Sequence, residues 1–195
     1  MSNSSPLTVW SLGHSKHSAE EFEALLTAAK IEVLVDVRTS PFSKMAPQFN
    51  NPELKKSLEK IGIRYIHMGR ELGGRPDSQD MYDADGHVFY DMMAATDVFK
   101  DGLKRLIQGV EQYRVAMMCS EGSPDKCHRT LLVGRVLQHQ GVQVVNILPS
   151  GTQEEQEDLN KLVPQQSLFG SEEARSWRSA VSVRPESQQG NSSTY

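Results

Sequence analysis

The feature that most constrains the fold of this chain is the alternation of short apolar runs with longer segments of helical periodicity. Five runs rich in β-branched residues are typical of strands: LTVWSL (7–12), VLVDVR (33–38), IRYIHM (63–68), RVAMMC (114–119) and VQVVNIL (142–148). Strands that alternate with helices form a parallel sheet that helices cover. The sequence therefore predicts an α/β fold: a single three-layer domain over residues 7–150, with a mostly parallel sheet of about five strands and helices on both faces.

Local signals mark the ends of the first two predicted helices. Ser18 precedes the amphipathic segment AEEFEALLTAAK, and Glu21 follows three residues later, which is the pattern of a capping box. Pro52 opens NPELKKSLEKIG, and Gly62 ends it. Two further helical patterns span residues 90–113 and 127–141.

The composition changes after residue 150. The stretch TQEEQEDLNKLV (152–163) predicts one more short helix, within an extension over residues 151–169. Residues 170–195 consist mainly of Ser, Gln, Glu, Arg and Asn, with few large apolar side chains to offset the entropy of ordering. We therefore expect a disordered C-terminal tail.

Composition also limits the class of protein. No apolar run approaches the roughly 18 residues that cross a membrane, and the N-terminus lacks the apolar stretch of a secretory signal. We therefore expect a cytoplasmic protein without a membrane partner. The net charge of -4 does not indicate a strongly basic nucleic-acid-binding domain, although it permits a local basic face.

Polar residues follow four of the predicted strands. Because ligands of an open parallel sheet bind beyond the carboxyl ends of its strands, these residues are expected to meet at one rim. They are Gly13, His14 and Ser15 after the first strand, Asp36 and Arg38 after the second, His67, Gly73, Gly74 and Arg75 after the third, and Cys119, Glu121, Cys127, His128 and Arg129 after the fourth. Each also has a plainer interpretation: Asp36 and Arg38 as a structural ion pair, Cys119 as a small buried apolar residue, and the glycines as turns.

The two cysteines enclose the stretch MMCSEGSPDKCHR (117–129). A stable disulfide is not expected in a reducing compartment. A zinc site is disfavoured because adjacent residues of a helix, such as Cys127 and His128, point about 100° apart. A phosphatase loop is excluded because its arginine position holds Asp125. The sequence therefore predicts neither a metal nor a cofactor. It predicts that the two thiols shape the site.

The segments GHS, DVRTSP, PQFN, IRYIHM, ELGGR and MCSEGSPDKCHR, in this order, resemble the domain of unknown function 488 family over residues 8 to about 148. The resemblance points to His14, Ser15, Asp36, Arg38, His67, Gly73, Gly74, Arg75, Cys119, Glu121, Cys127, His128 and Arg129 as site residues. The resemblance identifies the positions of site residues but does not identify the reaction of the family. Residues 76–90 depart from the family pattern, which leaves the wall facing the substrate undefined.

Three functions are compatible with these residues. The first is a metal-independent hydrolase acting on a glycosidic or ester bond of a nucleotide or nucleic acid in DNA metabolism or repair. In it, Asp36 and Glu121 divide the acid and base roles, and Arg38, Arg75 and Arg129 hold an anion. The second is a non-catalytic nucleotide or DNA binding module. The third is a thiol-dependent enzyme using Cys119 and Cys127.

A linear motif follows the predicted domain. The pentapeptide QQSLF (165–169) looks like the motif by which bacterial replication and repair proteins bind the DNA sliding clamp. Leu168 and Phe169 would enter an apolar pocket of the clamp, and Gln165 would donate and accept orienting hydrogen bonds. The alternative is that Leu168 and Phe169 pack back onto the domain.

Overall fold

A computed structural model describes residues 6–159 and 177–183 and contains the sheet that the alternating pattern predicts. Within these residues the strands are β1 (Thr8–Gly13), β2 (Val33–Asp36), β3 (Arg64–His67), β4 (Val115–Cys119), β5 (Gln143–Ile147) and β6 (Gln153–Glu155). Their order is β3-β2-β4-β1-β5-β6, and every neighbouring pair is parallel except β5 with β6. The predicted mostly parallel α/β sheet is confirmed, with a sixth strand at its edge.

Helices cover both faces of the sheet. They are α1 (Ala19–Ala28), α2 (Asn51–Lys60), α3 (Gly69–Leu72), α4 (Tyr90–Ala95), α5 (Asp97–Val110) and α6 (Arg135–His139), which continues from a π-helical segment at Arg129–Gly134. Helices α1 and α2 pack on one face, whereas α3 to α6 pack on the other. The three-layer arrangement is therefore confirmed.

The central strands β2 and β4 are buried along their whole length. In β2, Leu34 packs against α1 and α2, while Val33 and Val35 belong to the core on the other face. In β4, Met118 and Met117 divide in the same way. Strands covered on both faces need nearly continuous apolar sequence, which explains why these two runs show no polar alternation.

The predicted capping box at the start of α1 is present. The Glu21 backbone N–H donates to Ser18 Oγ at 3.1 Å, and the Ser18 backbone N–H donates to Glu21 Oε2 at 2.8 Å. These two bonds satisfy N–H groups that a helix N-terminus otherwise leaves without partners. They fix where the chain turns after β1 and enters α1.

The neighbouring strands β2 and β4 form the topological switch point of the sheet. The chain leaves β2 by α2 on one face toward β3, and it leaves β4 by α6 on the other face toward β5. The two following loops therefore diverge and leave a crevice between them, which is where open α/β sheets bind ligands. The loops after β2 and β4 contain Arg38 and Glu121, and the loop after β1, with His14, adjoins the loop after β4.

Two segments after residue 150 differ from the sequence-based expectation. Residues Gln153–Glu155 form β6, antiparallel to β5, where a helix was predicted over 152–163. Within the predicted tail, residues 177–183 pack on the domain: Ser179 N–H donates to Val88 O at 2.9 Å, and Trp177 Nε1 donates to Leu131 O at 2.6 Å. The QQSLF pentapeptide lies outside the described residues. No helix of the described ranges is long and apolar enough to cross a membrane.

Docking of residues 177–183 yields a first prediction. Replacing Trp177 by Ala removes its bond to Leu131 and its stacking with Arg135, whose Cζ lies 4.6 Å from the ring centroid. We expect a loss of about 1–3 kcal/mol in the free energy of unfolding, measured by urea denaturation. The control is Val181→Ala, because Val181 is 47% exposed and its truncation should cost less than about 0.5 kcal/mol. Equal stability of the two variants would contradict the docking.

Candidate functional site

A cleft of about 300 Å³ opens at the switch point. Its walls come from the segments that follow β1, β2, α3 and β4, and from residues 179–183. The lining residues are His14, Arg38, Thr39, Ser40, Phe42, Ser43, Gly74, Arg75, Tyr90, Ser120, Glu121, Lys126, His128, Ser179, Val181 and Val183. Residues distant in sequence therefore meet at the rim that the strand ends predict.

A buried ion pair lies beneath one wall of the cleft. Arg38 donates from Nε to Asp36 Oδ1 at 2.9 Å and from Nη2 to Oδ2 at 2.6 Å, and its backbone N–H also donates to Oδ1. The Tyr65 hydroxyl donates to Oδ2 at 2.7 Å, and Arg38 Nη2 donates to Phe49 O at 2.7 Å. Asp36 is 0% exposed and does not line the cleft. Its carboxylate is saturated with donors, so it orients Arg38.

Electrostatics explain why Arg38 and Tyr65 stay protonated. Burial works to lower the pKa of Arg38, but the hydrogen bonds and charge of Asp36 outweigh burial and raise it. Burial and the Asp36 carboxylate raise the pKa of Tyr65 far above its ordinary value, so the phenol remains a donor. Arg38 therefore presents a fixed positive charge to the cleft, and its Nη1 has no hydrogen-bond partner among the described residues.

A second buried guanidinium, that of Arg129, is only 1% exposed. Its Nε donates to Ser11 Oγ at 3.0 Å, and Nη1 donates to Cys119 Sγ at 2.7 Å and to Glu121 O at 2.6 Å. Nη2 donates to Gly122 O at 3.2 Å. Arg129 thus connects β1, the end of β4 and the loop after β4, and it does not line the cleft.

The two cysteines are free thiols whose sulfurs lie 2.6 Å apart. Burial favours a higher pKa for Cys119, but the hydrogen bond from Cys127 and the charge of Arg129 outweigh burial and lower the pKa. Burial and the adjoining Cys119 sulfur raise the pKa of Cys127. Cys119 is therefore the member of the pair with thiolate character, and Cys127 is the donor.

Two imidazoles line the cleft as neutral bases. His128 Nε2 lies 2.9 Å from Val37 O, and a carbonyl only accepts, so Nε2 carries the proton and Nδ1 is unprotonated. His14 Nδ1 donates in the same way to Ser15 O at 3.0 Å. Burial lowers the pKa of both rings.

His14 is held in place by stacking on Phe49, with ring centroids 4.4 Å apart and an interplanar angle of 16°. Its Nε2 is buried and has no hydrogen-bond partner among the described residues. An unpaired buried acceptor costs free energy unless a ligand supplies a donor. His14 Nε2 is thus a candidate contact for a bound molecule.

Close backbone approach explains two glycines of the motifs. A Cβ atom on Gly13 would lie 1.6 Å from Glu121 O, so only glycine allows the loop after β4 to cross the end of β1. A Cβ on Gly74 would lie 2.7 Å from His128 Cβ, so this glycine leaves room for the imidazole. Both residues shape the cleft without offering a functional group.

The sequence matches the model of the domain of unknown function DUF488 over residues 18–136. The chain belongs to this family. The match extends from the N-cap of α1 into α6 and so contains Arg38, Glu121 and His128, whereas His14 precedes it. No curated protein matches the chain.

The residues predicted for the site of this DUF488 chain fall into three groups. Those that line the cleft are His14, Arg38, Gly74, Arg75, Glu121 and His128. Those that lie beneath it are Asp36, Cys119, Cys127 and Arg129, all buried. Those that lie beside it are Gly13, Ser15, His67 and Gly73; His67 and Gly73 line a neighbouring groove, and His67 Nε2 donates to Arg38 O at 2.9 Å.

Ten of the residues that line the cleft were not identified from the sequence: Thr39, Ser40, Phe42, Ser43, Tyr90, Ser120, Lys126, Ser179, Val181 and Val183. Lys126 sits inside the quoted motif SPDKCHR, so its charge was a usable signal. Tyr90, Ser179 and Val181 come from segments without a strand end or motif, and tertiary packing alone brings them to the cleft. The spacing of residues in the sequence therefore did not indicate that these three residues line the cleft.

The buried Asp36 carboxylate gives a second prediction. Asp36→Asn would leave the Arg38 guanidinium, which is 6% exposed, without its counter-charge. Removing one partner of a buried pair costs about 3–5 kcal/mol, so we expect a loss of this size in the free energy of unfolding. Chemical denaturation measures it, with Asp101→Asn on the exposed side of α5 as the control. A loss below about 1 kcal/mol would show that Arg38 does not depend on this carboxylate.

Proposed function

We propose that the cleft binds a phosphate-bearing nucleotide or nucleic acid and hydrolyses a glycosidic or ester bond in it. The observation that carries the proposal is the convergence of cations, neutral imidazoles and one carboxylate on a single cleft at the switch point. Strand-end residues supply all three kinds of group, which is the composition of an anion-binding site with acid-base chemistry.

Charge favours an anionic ligand. Among the described residues, Arg38, Arg75 and Lys126 line the cleft against one carboxylate, that of Glu121. This local positive excess contrasts with the net charge of -4 of the whole chain. Because the guanidinium of Arg38 is fixed by Asp36, its free Nη1 can donate to a phosphate oxygen with little loss of side-chain entropy. The hydroxyl groups of Ser40 and Ser120 add neutral donors.

Glu121 is the group best suited to general base catalysis. It lines the cleft and is exposed, whereas Asp36 is buried and saturated with donors. In the proposed reaction, a water oxygen attacks the substrate while Glu121 accepts the water proton. The leaving group departs with the electron pair of the broken bond and then takes that proton from Glu121. His14 Nε2 accepts a hydrogen bond from the substrate or the water.

The other two functions differ in what they require of the same residues. A binding module would use the cations and His14 without turnover. A thiol-dependent enzyme needs an accessible sulfur, and Cys119 and Cys127 are 1% and 0% exposed and do not line the cleft. The burial of both sulfurs favours hydrolysis or binding over thiol chemistry.

The third prediction concerns Glu121→Gln. The purified chain is incubated with nucleotides and with oligonucleotides carrying damaged or modified bases, and released base, nucleoside or phosphate is quantified. For a substrate that reacts, Glu121→Gln should lower turnover by about 100-fold or more, because it removes the base and keeps the shape. Binding, measured by fluorescence anisotropy, should change by less than about threefold.

The matched control is Glu154→Gln, which alters an exposed carboxylate on β6. Arg75→Ala should weaken binding and reduce its dependence on salt concentration, since a phosphate contact is lost. Unchanged turnover in Glu121→Gln would remove Glu121 from the mechanism. Binding without any product would favour the non-catalytic module.

We also propose that QQSLF tethers the chain to a bacterial DNA sliding clamp. The proposal rests on the sequence of residues 165–169 and on their position after the α/β domain. A tether raises the local concentration of the domain at DNA, which would compensate for a chain without a basic excess. It would favour a DNA substrate for the cleft.

A titration with purified clamp tests the tether and is the fourth prediction. Wild type should bind near the micromolar range, because ordering a short segment consumes part of the interaction energy. Leu168→Ala combined with Phe169→Ala should abolish binding, whereas Gln188→Ala combined with Gln189→Ala should not change it. Absence of wild-type binding at about 100 micromolar, or equal binding by all three chains, would disprove the tether.

A further inference from the structure

A cluster of metal-ligating groups lies at the floor of the cleft, next to the groups assigned above. The sulfurs of Cys119 and Cys127, a ring nitrogen of His128 and a carboxylate oxygen of Glu121 all lie within 4.8 Å of one another. Cys119, Cys127 and His128 are largely enclosed, whereas Glu121 is exposed to the cleft. The groups come from both ends of the loop between β4 and the following helix.

The structure removes the geometric argument against a metal that the sequence suggested. The side chains of Cys127 and His128 would diverge if both residues lay on a helix. Cys127 instead precedes the helical residues, so its side chain is free of the helical spacing. Its Sγ lies 3.8 Å from His128 Nδ1. Both residues therefore reach one point.

We propose that Cys119 Sγ, Cys127 Sγ and His128 Nδ1 bind one zinc ion, with the fourth position open to the cleft beside Glu121. Two thiolates and an imidazole are the ligands that zinc prefers, whereas magnesium and calcium require oxygen ligands. Three protein ligands with an open position are typical of zinc sites that hold a water or a substrate.

The surroundings of these three ligands match those of protein metal sites. The Nε2–H of His128 donates to Val37 O, which orients the ring and leaves Nδ1 as the ligand nitrogen. Arg129 Nη1 donates to Cys119 Sγ and compensates part of the negative charge of two thiolates. Gly74 supplies the space beside the His128 ring. None of these contacts is needed for a turn between a strand and a helix.

The sulfur pair shows what binding would change. Zinc–sulfur bonds of about 2.3 Å in a tetrahedral site place two sulfurs about 3.8 Å apart. The thiols lie 2.6 Å apart, so the ion would separate them by roughly 1 Å, a shift that small side-chain rotations can supply. Both sulfurs belong to buried residues that do not line the cleft, whereas His128 and Glu121 do.

The zinc site can be tested independently of the proposed hydrolysis, because the metal content of the chain is measured without any substrate. The full chain is purified under reducing conditions, freed of metal with a chelator and titrated with zinc and with cobalt. We expect one zinc per chain by elemental analysis, together with the thiolate charge-transfer and tetrahedral d–d absorption bands of bound cobalt. The wild-type cobalt spectrum keeps the proposal testable even if a ligand variant fails to fold.

The metal affinities of substituted chains show which residues bind the ion. Cys127→Ser and His128→Gln should each weaken metal binding by about 100-fold or more, and Arg129→Lys by about 10-fold. His139→Gln, at an exposed histidine of α6, is the control and should bind as wild type does. Glu121→Gln should retain the ion, since Glu121 lies at the open position; loss of the ion in this variant would overturn the open site.

Two results would overturn the proposal. One is a wild-type chain that shows no saturable metal binding while its two thiols remain reduced. The other is cobalt binding without charge-transfer bands, or with an affinity that Cys127→Ser and His128→Gln leave unchanged. Either result would leave Cys119 and Cys127 as a hydrogen-bonded thiol pair.

Discussion

The arrangement of the site depends on burying the guanidinium of Arg129. Moving such a charge out of water costs several kcal/mol, so it is tolerated only when acceptors surround it. Here the acceptors come from β1, from the last residue of β4 and from two carbonyls of the following loop. The same bonds that satisfy the charge hold that loop against Gly13. Glu121 and His128 owe their positions in the cleft to this anchoring.

The guanidinium of Arg38 is also buried and also needs acceptors around it, but it has a different role. Its charge is satisfied mainly by the Asp36 carboxylate, with one backbone carbonyl, that of Phe49, and one side of its guanidinium remains directed to the cleft. One buried arginine therefore organises a loop, and the other offers a positioned donor to a ligand. The distinction depends on how many acceptors each guanidinium meets, which the residue type alone does not reveal.

The parts of the structure that local physics determines could be predicted from sequence. The strands follow from apolar runs, the start of α1 from Ser18 and Glu21, and the meeting of the polar loops from the rule for parallel sheets. The role of Asp36 could not be predicted, because its burial depends on Tyr65, which lies 29 residues along the chain. The convergence of Cys127 with His128 was missed because the helix begins one residue later than its pattern indicates.

The segment 177–183 has a consequence for how members of the family are compared. It forms one wall of the cleft, yet it lies beyond residues 18–136, the part that the family model matches. Separate stretches of the chain thus form the domain that the family model describes and part of the opening through which molecules enter the cleft. Two relatives that agree at every matched position can still admit ligands of different shape, and a transfer of substrate from one to the other requires comparison of their C-terminal regions as well.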